Sequence, residues 1–259
     1  MADPVALITG ASRGIGKQLA VDFAKNGYDI VALARSTAQS PTKLPGTVDE
    51  TAELVRAEGR RCLPIGLDLQ REEAIDDAVE RAYAEFGRVD VLINNAAIAP
   101  PGKALEAPTR RWRLAFDINV NAPFYLIHNI APRMAKAGGG RVINISSGAS
   151  QEPEFGRPSY TTTKRALEAM TESLGFELRG DQVAVNCIRL ELDVWTEGYA
   201  FTLPGLDTSD FEDPIIMSDA CLWFVRQPLD YTGKVFTIAE MREMGVVRPL
   251  TRIADRGKA

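Results

Sequence analysis

Val5-Ala6-Leu7-Ile8-Thr9-Gly10-Ala11-Ser12-Arg13-Gly14-Ile15-Gly16 is the stretch on which the fold turns. It opens with a short apolar run, as expected of a strand covered on both faces. A glycine-rich turn follows, and then Leu19, Ala20 and Phe23 recur at helical spacing up to a stop at Asn26-Gly27. Glycines in such a turn let backbone approach a pyrophosphate at a helix N-terminus, where free N–H groups and the helix dipole favour anions. A purely structural turn is the alternative. The strand before it and the helix after it favour dinucleotide binding.

Beyond this unit the same alternation repeats. Asp29 to Ala34 reads as a second strand, and Arg61 to Ile65 as a third, short or at an edge because of Pro64. Val89 to Ile93, Arg141 to Ile145, Val183 to Ile188 and Lys234 to Ile238 read as further strands. The segments between them carry helical periodicity, so the fold class is α/β, a doubly wound parallel sheet of about seven strands with helices on both faces. Thr47-Val48-Asp49-Glu50 has the form of a capping box. Thr109 is read as the cap of a long helix in which Asn119 and Pro123 predict a kink, because an interior proline costs roughly 3 kcal/mol. Ser36 to Gly46 reads as an irregular insertion. Leu190 to Asp213 reads as a second irregular segment and a candidate lid, hinged at Pro204-Gly205.

An acid about 20 residues past the glycines bonds the ribose 2′-hydroxyl in an NAD site. Here Ala34 stands at that position and Arg35 follows it. A missing acid and an added cation suit a 2′-phosphate, so NADP(H) is expected in preference to NAD(H). Composition removes other classes. The 259 residues carry a formal net charge of −5, which argues against nucleic acid or an anionic membrane as partner. One histidine, His128, leaves no basis for a histidine metal site or a Ser-His-Asp triad, and no metal is expected. Cys62, Cys187 and Cys221 are in no metal spacing and read as reduced thiols. With Asp3-Pro4 where a leader would begin, a cytoplasmic protein is expected.

The chemistry centres on Tyr160-Thr161-Thr162-Thr163-Lys164, which opens a helix carrying Leu167, Met170 and Leu174. Residues four apart share a helix face. A free phenol has a pKa of about 10, and a neighbouring ammonium is expected to lower it. Ser147, at the end of the strand from Arg141, is placed to hydrogen-bond a substrate oxygen beside the phenol. A surface tyrosine and lysine is the plain alternative for this motif taken alone.

Thr9-Gly10-x-x-x-Gly14-x-Gly16, Asn94-Asn95-Ala96-Ala97, Asn119, Ser147 and Tyr160-x-x-x-Lys164 stand in one chain in this order. Together they resemble a classical short-chain dehydrogenase/reductase over nearly the whole length. Lys43 to Thr47 and Tyr231-Thr232-Gly233 resemble its hydroxysteroid-dehydrogenase-like branch. The resemblance implies one Rossmann-type domain over residues 1–259, with the lid near residues 190–213. It implies Tyr160 as general acid/base, Lys164 holding the nicotinamide ribose, Ser147 polarising the carbonyl and Asn119 ordering a water that relays protons to Lys164. Gly10, Ser12, Arg13, Gly14, Ile15, Gly16, Arg35, Ser36, Asp68, Leu69, Asn95, Ala96 and Ala97 would line the cofactor with Tyr160 and Lys164. The aromatic-rich lid and its acids point to an uncharged, largely apolar ketone or secondary alcohol, with Val194, Trp195, Tyr199, Phe201 and Leu203 as lid contacts and acids at the pocket mouth. A homodimer or homotetramer is expected from helices apolar on more than one face. A catalytically silent cofactor-binding sensor or scaffold is the alternative, and the intact Asn119, Ser147, Tyr160 and Lys164 argue against it. Three departures stand out: Ala97 where glycine is usual, Arg189-Leu190-Glu191-Leu192-Asp193 where Pro-Gly is common, and Ile238-Ala239-Glu240-Met241 where acid-Gly-Gly is usual.

Overall fold

The computed structural model describes residues 3–202 and 205–255. Leu203 and Pro204, named above as lid contact and hinge, lie outside the described residues. The strands are β1 (Val5–Thr9), β2 (Asp29–Ala34), β3 (Cys62–Gly66), β4 (Val91–Asn94), β5 (Gly140–Ser147), β6 (Val183–Leu190) and β7 (Val235–Thr237). They form one seven-stranded sheet in the order β3-β2-β1-β4-β5-β6-β7, every pair parallel. Proline-bearing β3 takes an edge, as expected.

Side chains alternate across the sheet, and each face has its own core. Ala6 and Ile8 of β1 pack with Leu19 and Phe23 of α1 (Gly14–Lys25), Val48 and Val55 of α2 (Val48–Ala57), and Ile216 and Phe224. Val5 and Leu7 pack on the other face with Ile75 and Val79 of α3 (Glu72–Phe86) and with Leu126 and Ile130. A chain that leaves β1 toward β3 and returns beside β1 as β4 opens a crevice at the C-terminal strand ends, where ligands of such sheets bind.

The remaining helices are α4 (Thr109–Phe116), α5 (Ala122–Lys136), α6 (Pro158–Glu177), α7 (Glu197–Thr202), α8 (Ile215–Arg226) and α9 (Ile238–Glu243). Four expectations need correction. The kink at Asn119 and Pro123 is a π-helical turn, Asp117–Asn121, joining α4 to α5. Its signature is the Ala122 N–H reaching Asp117 O five residues back. The wider turn relieves the clash between the Pro123 ring and the carbonyl four residues earlier, that of Asn119, without breaking the helix. Thr109 is the first helical residue, with Pro108 as the cap. Thr47 caps α2 by accepting the Glu50 N–H, whereas the complete capping box is at Thr237 and Glu240, opening α9. Finally, β6 runs on to Leu190, pairing Ser146 with Arg189 and Ser147 with Leu190, so part of the candidate lid is sheet. The lid itself holds α7 and a bridge between Val194 and Glu212.

Candidate active site

At the dinucleotide end the glycines are required by space. A Cβ on Gly16 would lie 2.3 Å from Gly10 O, and Gly14 has φ +53, a left-handed value that favours glycine. Their bare backbone opens a cavity of about 380 Å³ between β1, β2 and β4. Twelve of the expected residues line it: Gly10, Ser12, Arg13, Gly14, Ile15, Gly16, Arg35, Ser36, Leu69, Asn95, Ala96 and Ala97. Such a glycine cradle fits a dinucleotide pyrophosphate. Tyr160 and Lys164 line the adjoining cavity, and Asp68 lines neither. Its carboxylate accepts the Gln70 N–H at 3.1 Å, and Leu67 and Leu69 face the cavity beside it.

Among the contributors that the sequence did not mark are two from a single loop. Thr42 and Leu44, from the irregular insertion, also line the cavity. Arg13 donates to Thr42 Oγ1 at 2.9 Å and to Gly46 O at 3.1 Å, and Ser36 donates to Gly46 O at 2.8 Å. The insertion is thus folded onto Arg13 at the adenosine end. Thr9 Oγ1 accepts the Asn95 and Ala96 N–H groups at 3.0 Å each, and Asn95 Nδ2 donates to Thr9 O at 2.8 Å. These bonds tie the ends of β1 and β4 together at the cavity floor.

Ser147, Tyr160 and Lys164 converge on a second cavity of about 870 Å³, and Asn95, Ala97, Ile15 and Thr196 border both. The end of β5 delivers Ser147, and the first turns of α6 deliver Tyr160 and Lys164. Ser147 is hydrogen-bonded to the Tyr160 phenol. Lys164 is buried, its Nζ donates to Ile145 O at 2.6 Å, and it lies 5.6 Å from the Tyr160 ring centroid. Burial lowers its pKa to about 8, leaving it mostly protonated at neutral pH. The expected depression of the tyrosine is not what the structure shows. Burial pushes Tyr160 above its ordinary value, and the Ser147 hydrogen bond only partly opposes this, while the Lys164 ammonium is spent on a carbonyl.

Asn119 is buried in the π turn. Its Oδ1 accepts the Ile98 N–H at 2.9 Å, and its Nδ2 donates to Ile98 O at 2.9 Å and to Thr163 Oγ1 at 3.0 Å. The side chain clamps the segment after β4 to α6, one residue before Lys164.

The atypical strand end after Cys187 has its explanation in α6. Glu168, one turn beyond Lys164, is buried and accepts from Ser146 at 2.7 Å, Ser150 at 2.6 Å, and Arg189 at 3.0 and 2.8 Å. With Arg189, Ser146 and Ser150 as donors, the Glu168 carboxyl is held below the usual range against its burial. An arginine in an apolar strand calls for a buried acid, and that was the available signal. Glu191 likewise accepts the N–H groups of Ile238 at 3.1 Å and Ala239 at 2.7 Å. The two atypical segments are therefore partners, an acid on one capping the helix that opens the other.

Among the expected lid contacts, Tyr199 lines the second cavity and stands edge-on to Phe211 at 5.2 Å. Trp195 and Phe201 are not among its described lining residues, and Phe201 is 52% exposed. Val194, also expected, lines the cavity, and Leu190 and Leu192 complete the apolar wall. Of the lid acids, Glu191 and Asp193 border this cavity. Glu197 lies at α1, and Asp210 pairs with Arg252.

The family model described as short chain dehydrogenase matches residues 4–192. Hydroxysteroid dehydrogenase-like protein 2 of Bos taurus is 32% identical over 250 residues, covering 95% of this chain and 59% of that protein. The chain thus spans somewhat over half the length of the curated relatives it matches. Among solved structures, a putative dehydrogenase from Xanthomonas campestris superposes with a TM-score of 0.84 at 27% identity, covering 94% of this chain and 90% of that one. A metagenomic short-chain oxidoreductase in complex with NADP gives 0.75 at 28% identity, covering 90% and 96%. With the sheet order, glycine turn and Ser147-Tyr160-Lys164 cluster in place, these matches identify the chain as a member of the short-chain dehydrogenase family.

Proposed function

We propose that the protein is an NAD(P)-dependent oxidoreductase interconverting a carbonyl and a secondary alcohol, with NADP(H) as the preferred cofactor. The observation that carries this is the convergence of Ser147, Tyr160 and Lys164 on a cavity joined to the glycine-cradled one. Bound nicotinamide would supply the hydride. Ser147 hydrogen-bonds and polarises the substrate oxygen. Tyr160, kept protonated by its burial, donates the proton to that oxygen in reduction and recovers it in oxidation. Lys164 holds positive charge near the phenol and would hold the nicotinamide ribose, and Asn119 fixes the π turn and the start of α6 around them. Gly10, Ser12, Ile15, Asn95 and Ala97 would hold the dinucleotide backbone.

Ala34 and Arg35 bordering the adenosine end, with no acid in that position, support the NADP preference. An apolar wall of Leu190, Leu192 and Val194 with acids at the rim supports an uncharged, largely apolar ketone or alcohol. No helix among the described residues is long and apolar enough to cross a membrane, and a cytoplasmic site of action fits. The test is a cofactor-consumption screen over ketones, steroids and secondary alcohols, repeated with Tyr160→Phe. Turnover that falls by roughly 10²–10⁴-fold in the variant, with cofactor binding retained, is the expected result. Near-normal turnover by Tyr160→Phe would sink the assignment, and cofactor binding without turnover of any substrate would favour a silent sensor.

A further inference from the structure

The first turn of α1 is the natural seat of a pyrophosphate, and the protein already places an anion there. Gly14 opens α1, and its N–H is one of the donors that a helix leaves without an internal partner. The helix supplies no acid in its first turn and no side-chain cap. The lid fills the gap. Glu197 Oε2 accepts the Gly14 N–H at 2.7 Å, and Oε1 pairs with Lys17, one turn further along α1. Thr196 arrives with it, its methyl 2.9 Å from where a Gly14 Cβ would stand, so the missing side chain is what lets the lid seat. Thr196 and Gly198 border the dinucleotide cavity on either side of this carboxylate. Lys17 and the Gly14 N–H hold Glu197 below the ordinary range despite its burial, so it is ionised at neutral pH.

Resting on the cofactor reading above, we propose that Glu197 is a built-in competitor for the dinucleotide pyrophosphate, so that cofactor entry must lift the lid carboxylate off α1. Two anions cannot share one set of N–H donors, and Lys17 alone cannot neutralise a carboxylate and a pyrophosphate together. Glu197 therefore lowers cofactor affinity and ties cofactor exchange to lid position.

The experiment is a titration of the purified full chain, Glu197→Gln and Glu197→Ala with NADPH, read by nucleotide fluorescence and calorimetry. Glutamine keeps an acceptor for Gly14 but removes the charge. The expected result is a Kd lowered about tenfold or more in both variants, with a faster association rate. An unchanged or raised Kd in folded Glu197→Gln would overturn the inference, because a carboxylate that merely anchors the lid costs no affinity when its charge is removed. If the parent and both variants bind neither NADPH nor NADH, the cofactor reading falls and this inference falls with it. Parent binding without a gain in the variants sinks the inference alone.

Discussion

Replacing Lys164 by Met puts a number on the cost of the catalytic ammonium. The group is buried, and its pKa falls to about 8 in the fold from 10.5 for the free side chain. That gap of about 2.5 units corresponds to roughly 3 kcal/mol at pH 7, since each unit is 1.36 kcal/mol. The sign follows from proton uptake. Between pH 8 and 10.5 the unfolded chain binds the proton and the folded protein does not, so stability rises with pH across that window. Below pH 8 the penalty is present in full, and by pH 9.5 about 2 kcal/mol of it has been relieved. Met keeps the aliphatic stem and removes the charge, at the cost of leaving Ile145 O without its donor, about 1–3 kcal/mol. The variant should therefore be inactive yet as stable as the parent or more so at pH 7. Its stability relative to the parent should fall by about 2 kcal/mol between pH 7 and 9.5. Urea unfolding of both proteins at the two pH values measures this. A stability difference that does not move with pH would refute a depressed lysine and restore an ordinary one.

Ala34→Asp should shift cofactor preference toward NADH by about tenfold or more in kcat/KM, because an acid there bonds a 2′-hydroxyl and repels a 2′-phosphate. Equal use of both cofactors by the parent would count against the role given to Arg35. Light scattering at micromolar concentration should show a dimer or tetramer, since Trp112 on α4, Phe124 on α5 and Phe176 on α6 leave large apolar groups exposed, Phe176 by 82%. Phe176→Glu should yield a smaller species, and a monomeric parent would refute the assignment.

Local pattern was enough for the architecture. Apolar runs interrupted by helical periodicity announced each strand, because a strand buried on both faces has no polar alternation to hide it, as β1 and β2 illustrate. Pro64 announced an edge, because proline cannot complete a ladder. Ser147, Tyr160 and Lys164 were also marked, by a strand end and a four-residue helical spacing that bring them together whatever else the chain does. Partners far apart in sequence left no such trace. Arg189 in an apolar strand calls for an acid without naming Glu168, and nothing near Gly14 announces Glu197, because these pairs exist only once β6 and the lid have been laid against α6 and α1. Protonation was decided at the same level. A phenol beside a lysine reads as acidified when only spacing is known. Folding buries both groups and spends the ammonium on Ile145 O, so desolvation outweighs the pairing and Tyr160 moves the other way.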